Sequence, residues 1–127
     1  MKKKYRIELD GKPIGYTFFE SADAPMGVVI GKVLFEEVES PYALFKEYCT
    51  ANEVELNEDD PELEAIFTQS IDGLRVFRDD RLEIKGVGAT ISGFKDEGYE
   101  IDVFGIPYPF YGEEFKHHRE AYEDQFK

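Results

Sequence analysis

Several short segments of this sequence alternate apolar and polar residues, and turn-forming pairs separate them. The segment Tyr5–Leu9 reads YRIEL, and Asp10-Gly11 follows it directly. Alternation with a period of two predicts a half-buried strand, and Asp-Gly favours a tight hairpin because both positions tolerate positive φ. The segment 14–20 is then the returning strand, and 99–104, which reads YEIDVF, alternates in the same way. Strands joined by such short turns pair antiparallel.

Further strands are predicted where β-branched and aromatic residues are concentrated. The segment 27–38 reads GVVIGKVLFEEV and predicts one long strand, whereas 21–25 contains serine, aspartate and proline and predicts a loop. Two more strands are predicted at 74–77 and 81–94, and the glycines of the second favour bulges.

Three segments have the features of helices. Ser40 can cap a helix, Pro41 suits its first turn, and Asn52 suits its end, so the first helix is predicted between them. The sequence around Asp60, which is followed by proline and glutamate, resembles another capped start and predicts a second, short helix through residue 67. The segment 112–126 carries apolar residues at helical spacing and predicts the third.

The predicted order of elements is β-β-β-α-α-β-β-β-α. Grouped strands joined by hairpins indicate an α+β fold, in which the helices pack on a mainly antiparallel sheet of about six strands. A chain of 127 residues fits a single domain covering 1–127, and its 11 phenylalanines and 8 tyrosines supply a core.

Acidic residues dominate the charge of the chain and are unevenly distributed. The net charge is −13, from 28 acids and 15 bases, and the segment 39–70 holds nine acids against one base, Lys46. Such a field repels nucleic acid and anionic membranes and attracts basic proteins. Two interpretations remain open, a surface that recognises a basic partner and a solvated segment whose acids complement a helix start. The spacing does not match a calcium-binding loop.

Two groups of residues are candidates for contact with such a partner. The acids Asp59, Asp60, Glu62 and Glu64 would pair with lysines and arginines. The segment 106–111 reads IPYPFY, and its aromatic residues next to prolines are stiff, amphipathic anchors of the kind enriched at interfaces. We therefore expect Tyr108, Phe110 and Tyr111 to supply apolar contacts, with an aromatic loop that folds over the sheet edge as the alternative.

No motif for catalysis, cofactor binding or metal binding fits the sequence. Gly27–Val33 has too few residues between its glycines for a phosphate loop, and Gly86-Val87-Gly88 is not followed by a helix pattern. The chain has two histidines, His117 and His118, which point about 100° apart on a helix and do not share one ion readily. We therefore expect no catalytic residue, no cofactor and no metal.

Cys49 lies on the apolar face of the first predicted helix and is expected to be a buried structural thiol, since a catalytic thiol needs an activating base and the surrounding acids would raise its pKa. It is the one cysteine of the chain, which excludes an intrachain disulfide and favours a reducing compartment. No apolar run follows the basic N-terminal residues, as a signal peptide requires. These features together predict a cytoplasmic protein.

The acidic run and the stretch 101–118, IDVFGIPYPFYGEEFKHH, give the chain a resemblance to small, acidic, single-domain bacterial proteins of unknown function. Some of these are thought to be immunity proteins of toxin–immunity systems. The well-known nuclease immunity proteins are all-helical, so that family does not fit. The resemblance implies a non-enzymatic inhibitor that neutralises a basic toxin. The alternatives are an adaptor or homo-oligomeric structural protein, and a small enzyme or ligand-binding protein with an acid-lined cleft.

Overall fold

The computed structural model describes residues 2–126 and confirms an α+β fold with antiparallel pairing. Ten strands form two sheets, where about six strands in one sheet were expected. The strands are β1 (Tyr5–Leu9), β2 (Lys12–Thr17), β3 (Ser21–Asp23), β4 (Val28–Lys32), β5 (Leu34–Phe35), β6 (Leu56–Asp60), β7 (Ala65–Thr68), β8 (Leu74–Phe77), β9 (Gly88–Phe94) and β10 (Gly98–Phe104). The helices are α1 (Pro41–Ala51), α2 (Phe110–Glu114) and α3 (Lys116–Asp124).

The four-stranded sheet has the order β5-β2-β1-β8 and is built around the predicted first hairpin. Leu9 pairs with Lys12 across a two-residue turn, in which Asp10 and Gly11 have φ values of 50° and 81°. Both central residues are therefore left-handed, as this class of hairpin turn requires. The predicted hairpin is confirmed.

The six-stranded sheet has the order β3-β4-β10-β9-β7-β6. Its centre is the hairpin of β9 and β10, which pair from Gly88 with Phe104 to Phe94 with Gly98. Strands β3 and β6 are its two edges. The alternation predicted for YEIDVF is confirmed, because Tyr99, Ile101 and Val103 are buried while the residues between them are partly exposed.

A single hydrophobic core draws side chains from both sheets and from α1. Ile7 and Ile14 come from the smaller sheet, Ile91 and Ile101 from the larger sheet, and all four are at most 1% exposed. Helix α1 begins as predicted, because the Ser40 hydroxyl accepts a hydrogen bond from the Ala43 N–H at 3.1 Å and Pro41 occupies the first turn. Helix α1 adds two buried side chains to the core, Phe45 and Cys49, and the second confirms the expected buried cysteine.

The predicted second helix is wrong, because β6, β7 and the turn between them form a hairpin there. The Asp60 carboxylate accepts hydrogen bonds from the N–H groups of Glu62 at 3.0 Å and Leu63 at 3.3 Å. These bonds close a turn at Pro61 instead of opening a helix, since aspartate side chains stabilise both structures. Glu64 then adopts a φ of 48°, and β7 pairs with β9 in the sheet.

Three other predicted elements are divided in the structure. The predicted strand 27–38 becomes β4 and β5, because the chain leaves the larger sheet at Val33 and joins the smaller one. In the predicted strand 81–94 only β9 is a regular strand. The residues before it cross between the sheets, because the Ile84 N–H donates to the Val76 carbonyl in one sheet and the Val87 N–H donates to the Phe104 carbonyl in the other. The predicted helix 112–126 breaks at Phe115, which is fully buried. The predicted loop 21–25 contains β3 and the start of a 3₁₀ turn.

Candidate functional site

Asp59 is on the edge strand β6 and is held by helix α1. Its carboxylate accepts a hydrogen bond from the Tyr42 hydroxyl and forms an ion pair with Lys46. These hydrogen bonds hold the pKa of Asp59 below its usual value, and the bond from Lys46 has the larger effect. Lys46, the one base of the acidic segment 39–70, therefore already forms an intramolecular ion pair.

The other acids predicted to contact a partner divide into engaged and exposed side chains. Asp60 closes its own turn, as described above. Glu64 accepts a hydrogen bond from the Ser40 hydroxyl at 3.3 Å and lies 3.4 Å from the Lys95 ammonium. Glu62 is exposed, and its side chain has no hydrogen bond or ion pair within residues 2–126. Of the four predicted acids, Glu62 alone has a side chain without a hydrogen bond or ion pair within residues 2–126.

The aromatic loop lies against the opposite edge of the same sheet and is largely engaged. The Tyr111 ring is fully buried and its hydroxyl donates to the Val28 carbonyl at 2.9 Å. Phe110 is partly buried against the core. Tyr108 is 48% exposed, but its hydroxyl donates to the Ala24 carbonyl at 2.9 Å. Tyr111 therefore has no surface to offer a partner, and the alternative of a loop folded onto the sheet edge describes it.

The structure does not bring the two predicted groups together. The acids lie at β6, and the aromatic loop contacts β4 and the turn before it. In the sheet order β3-β4-β10-β9-β7-β6, four strand spacings separate β4 from β6. At about 4.8 Å for each spacing, the distance is roughly 19 Å.

The outer face of the six-stranded sheet gathers charged residues that the sequence predictions did not select. Cross-strand pairing places Glu58 opposite Phe67, Phe67 opposite Ser92, and Ser92 opposite Glu100. Asp102 lies two residues further along β10, opposite Thr90. Paired residues share a face, so these side chains form one surface. We call it the acidic sheet face, made of Glu58, Phe67, Thr90, Ser92, Glu100 and Asp102, with one base, Lys32, opposite Glu100 on β4.

The acidic sheet face is open to solvent although it lies at the centre of a sheet. Thr90, Ser92, Glu100 and Asp102 all remain partly exposed, and Phe67 is 38% exposed. Their neighbours in sequence on the other face are buried, Ile66, Ile91 and Ile101 at 0%. One face of the sheet therefore covers the core while the other remains uncovered.

The acids of this face form no ion pair within residues 2–126, although the base Lys32 is the cross-strand neighbour of Glu100. Glu58, Glu100 and Asp102 make no ion pair there, and Lys32, which pairs with Glu100 across the strands, donates to the Glu97 carbonyl at 3.3 Å. Partial burial raises the pKa of Asp102, and the nearby Glu100 carboxylate raises it further. A basic group brought to this face would stabilise the ionised forms of Glu100 and Asp102 and so oppose this rise in pKa.

Two bases beside the four-stranded sheet, Arg81 and Lys4, each contact other side chains of the chain. Arg81 lies 2.7 Å from the Glu8 carboxylate and stacks over the Phe77 ring at 4.2 Å. Lys4 lies over the Tyr16 ring at 4.0 Å. Both bases therefore have intramolecular partners.

Comparison of the chain with protein-family models, curated proteins and solved structures finds no match in any of the three. Among residues 2–126, no helix has the length and apolar character needed to cross a membrane. The same residues contain no group of three or more His, Cys, Asp or Glu side chains that could hold a metal ion.

The signal for Glu100 and Asp102 was present in the sequence. The alternation of YEIDVF places both acids on the face opposite Tyr99, Ile101 and Val103. Glu58 could not be assigned to the same face, because the segment that contains it was predicted as a loop that leads into a helix.

Proposed function

We propose that this chain is a non-enzymatic binding protein of the inhibitor or immunity type, which neutralises a basic protein in the cytoplasm. The observation that carries the proposal is the acidic sheet face, where three acids without an ion pair share one surface with an exposed Phe67. A net charge of −13 would speed the encounter with a basic partner, and the aromatic ring would supply apolar contact after docking.

The spacing of the acids defines the partner surface that would fit. Glu100 and Asp102 are two residues apart on one strand, which places them roughly 7 Å apart. Glu58 is three strands away from Glu100, or roughly 14 Å. Lysines or arginines at positions i and i+2 of a strand, or i and i+4 of a helix, would match the first pair. A third base would reach Glu58 across the Phe67 ring.

The test is capture of a partner from the source cell, followed by measurement of its affinity in purified form. The variant Glu58→Lys, Glu100→Lys, Asp102→Lys reverses the three charges of the acidic sheet face. The matched control is Glu47→Lys, Asp72→Lys, Glu113→Lys, which reverses three exposed acids elsewhere. Both changes raise the net charge by six, from −13 to −7, so long-range attraction falls equally. Melting curves verify that both variants fold.

We expect the first variant to weaken binding by about 100-fold and the control by about tenfold or less. Binding of the wild-type chain should also weaken as salt increases. Equal losses for the two variants would mean that net charge, and not this face, determines binding. An affinity that is unaffected by charge reversal and by salt would refute the acidic surface altogether.

An immunity role makes a further demand on the captured partner. Expression of the partner alone should arrest growth of a bacterial host, and coexpression of the wild-type chain should restore it. Coexpression of the variant reversed at the acidic sheet face should not. A partner that is harmless when expressed alone would exclude the immunity role and leave an adaptor.

Self-association is the competing role, because β3 and β6 are free edges of the larger sheet. The edge strand β6 carries Glu58 and Asp59, and charged residues on an edge oppose strand-to-strand pairing. We therefore expect light scattering to give a monomer mass at all concentrations. A dimer that persists on dilution would favour the structural role.

A further inference from the structure

A second candidate site, a cleft of about 700 Å³, lies apart from the acidic sheet face. It is formed by the residues before β1, the residues that follow β2, and the junction of α2 and α3. Its volume is within the range of sites that hold small organic molecules. The side chains that line it are Lys2, Lys3, Tyr5, Phe18, Phe19, Glu20, Phe115, His117 and His118.

The base of the cleft is aromatic. Tyr5, Phe19 and Phe115 are at most 2% exposed, and their ring centroids lie 5.1, 5.7 and 5.9 Å apart in tilted and edge-to-face arrangements. Each ring is fixed by its neighbours, so the base of the cleft is preformed. These buried rings support the cleft, and the partly exposed Phe18 ring offers the aromatic surface that an apolar group would contact.

The rim of the cleft carries positive charge, in a chain whose net charge is −13. Lys2 lies over the Phe18 ring at 5.9 Å, and Lys3 lies 3.3 Å from the buried Glu114 carboxylate. The Lys3 side chain is still 59% exposed, so part of its ammonium faces solvent. One acid lines the cleft, Glu20, and its carboxylate accepts a hydrogen bond from the Lys32 N–H at 3.1 Å.

The two histidines complete the rim. His118 Nε2 lies 2.8 Å from the Phe19 carbonyl oxygen, which only accepts hydrogen bonds, so Nε2 carries the proton and the ring is fixed. The His117 ring lies 4.0 Å from the His118 ring and has no hydrogen bond within residues 2–126. Partial burial lowers the pKa of His117, and His118 and Lys3 lower it further. A negative group at this position would offset those repulsions.

We infer that this cleft binds a small organic anion, in which a carboxylate or phosphate group meets Lys2, Lys3 and His117 while an apolar body contacts the Phe18 ring above the buried aromatic base. The inference does not depend on the proposed partner binding, because none of these residues belongs to the acidic sheet face.

Three matched probes test the chemistry of the ligand: 3-phenylpropanoate, the neutral 3-phenylpropanamide and the cationic 3-phenylpropylamine. Titration followed by amide NMR spectra reports both affinity and location. We expect the carboxylate to bind with a dissociation constant of about 1 mM, a typical value for a fragment of this size. The amide should bind about tenfold more weakly and the amine more weakly still. The shifted resonances should be those of Phe19, Phe115 and His117.

Two variants with equal charge test the location. Lys2→Gln, Lys3→Gln removes two positive charges at the cleft, and Lys12→Gln, Lys85→Gln removes two exposed ones elsewhere, so each changes the net charge from −13 to −15. The first should weaken binding of 3-phenylpropanoate by about tenfold, and the second by less than about twofold. The exposed His117→Gln is a further variant that does not disturb the Lys3–Glu114 ion pair, and it should weaken binding about threefold.

Several results would overturn the inference. Equal affinity for the carboxylate and the amide would show that the charge of the ligand does not contribute to binding. Tighter binding of the amine would show that the cleft prefers a cation. Resonance shifts that lie outside the cleft would place the site elsewhere. Equal losses for the two lysine pairs would leave only a long-range effect of net charge.

Discussion

Replacement of Glu114 by glutamine should destabilise the fold more than any other change of a single acid to its amide. The Glu114 side chain is 3% exposed, and one of its oxygens accepts a hydrogen bond from the Tyr5 hydroxyl at 2.8 Å. Arg78 lies 2.8 Å from the other oxygen, and Lys3 lies 3.3 Å from the first. This carboxylate therefore connects α2 to β1, to the residues before β1 and to the end of β8.

The size of the stability loss follows from the acceptor that glutamine lacks. Its amide retains one acceptor, but its NH₂ group faces donors on Arg78 or Lys3 and cannot accept from them. A hydrogen bond to a charged group is worth about 1.5–3 kcal/mol. Arg78 and Lys3 are 34% and 59% exposed, so both recover part of the loss from water. We therefore expect Glu114→Gln to lower the free energy of unfolding by about 3 kcal/mol, or roughly 10 °C in melting temperature.

Urea unfolding at neutral pH measures this change, and Glu113→Gln is the matched control. Glu113 is the preceding residue of the same helix and is exposed, so its replacement should change stability by less than about 0.5 kcal/mol. A third variant, Tyr5→Phe, removes one of the donors. Its effect should be smaller when Glu114 is already glutamine, since both changes break the same contact.

The difference between the wild type and Glu114→Gln should depend on pH. Burial alone favours the neutral acid, but hydrogen bonds from Arg78, Tyr5 and Lys3 outweigh it and hold the pKa of Glu114 below its usual value. A group with a depressed pKa stabilises the fold above its unfolded pKa and loses that effect as pH falls through its folded pKa. The difference in free energy of unfolding between the two proteins should therefore be largest near neutral pH and shrink below about pH 4. A difference that is independent of pH, or no larger than that of Glu113→Gln, would refute the reasoning.

Three further predictions concern other parts of the fold. Ser40→Ala removes the cap of α1 and should cost about 1 kcal/mol in urea unfolding, whereas Ser40→Asp should restore most of it. Gly31→Ala places a Cβ 1.9 Å from the Thr17 hydroxyl and 2.9 Å from the Phe19 N atom, so it should cost about 2–3 kcal/mol in the same assay. Burial raises the pKa of the Cys49 thiol, so a thiol reagent should react at least about 100-fold more slowly in the native state than in urea.

Local patterns predicted the parts of the fold that local chemistry determines. The Asp10-Gly11 hairpin, the Ser40 cap and the alternation of YEIDVF each depend on neighbouring residues, and all three are confirmed. The segment around Asp60 was predicted incorrectly because the same aspartate oxygen can cap a helix or close a turn. Pairing of β7 with β9, about 26 residues away in the sequence, decided between them.

The candidate site was predicted less well, for a related reason. The sequence located the acidic segment but could not say which acids already have partners, such as Asp59 with Lys46. It also could not place Glu58 and Glu100 on one face, because their positions are related only through the pairing of Phe67 and Ser92 on the two strands between them. The cleft is formed by segments from both ends of the described chain, which no local pattern brings together.

The division of the chain between the two sheets has a consequence for how it unfolds. The chain passes from one sheet to the other five times, between β2 and β3, β4 and β5, β5 and β6, β7 and β8, and β8 and β9. Neither sheet is a continuous piece of sequence, so neither can open while the other keeps its strands in place. Amide hydrogens of β1 in one sheet and β10 in the other should therefore exchange only through the same global opening, with equal free energies. A cut at any of the three inner connections, between β4 and β5, β5 and β6, or β7 and β8, would leave each fragment with strands of both sheets.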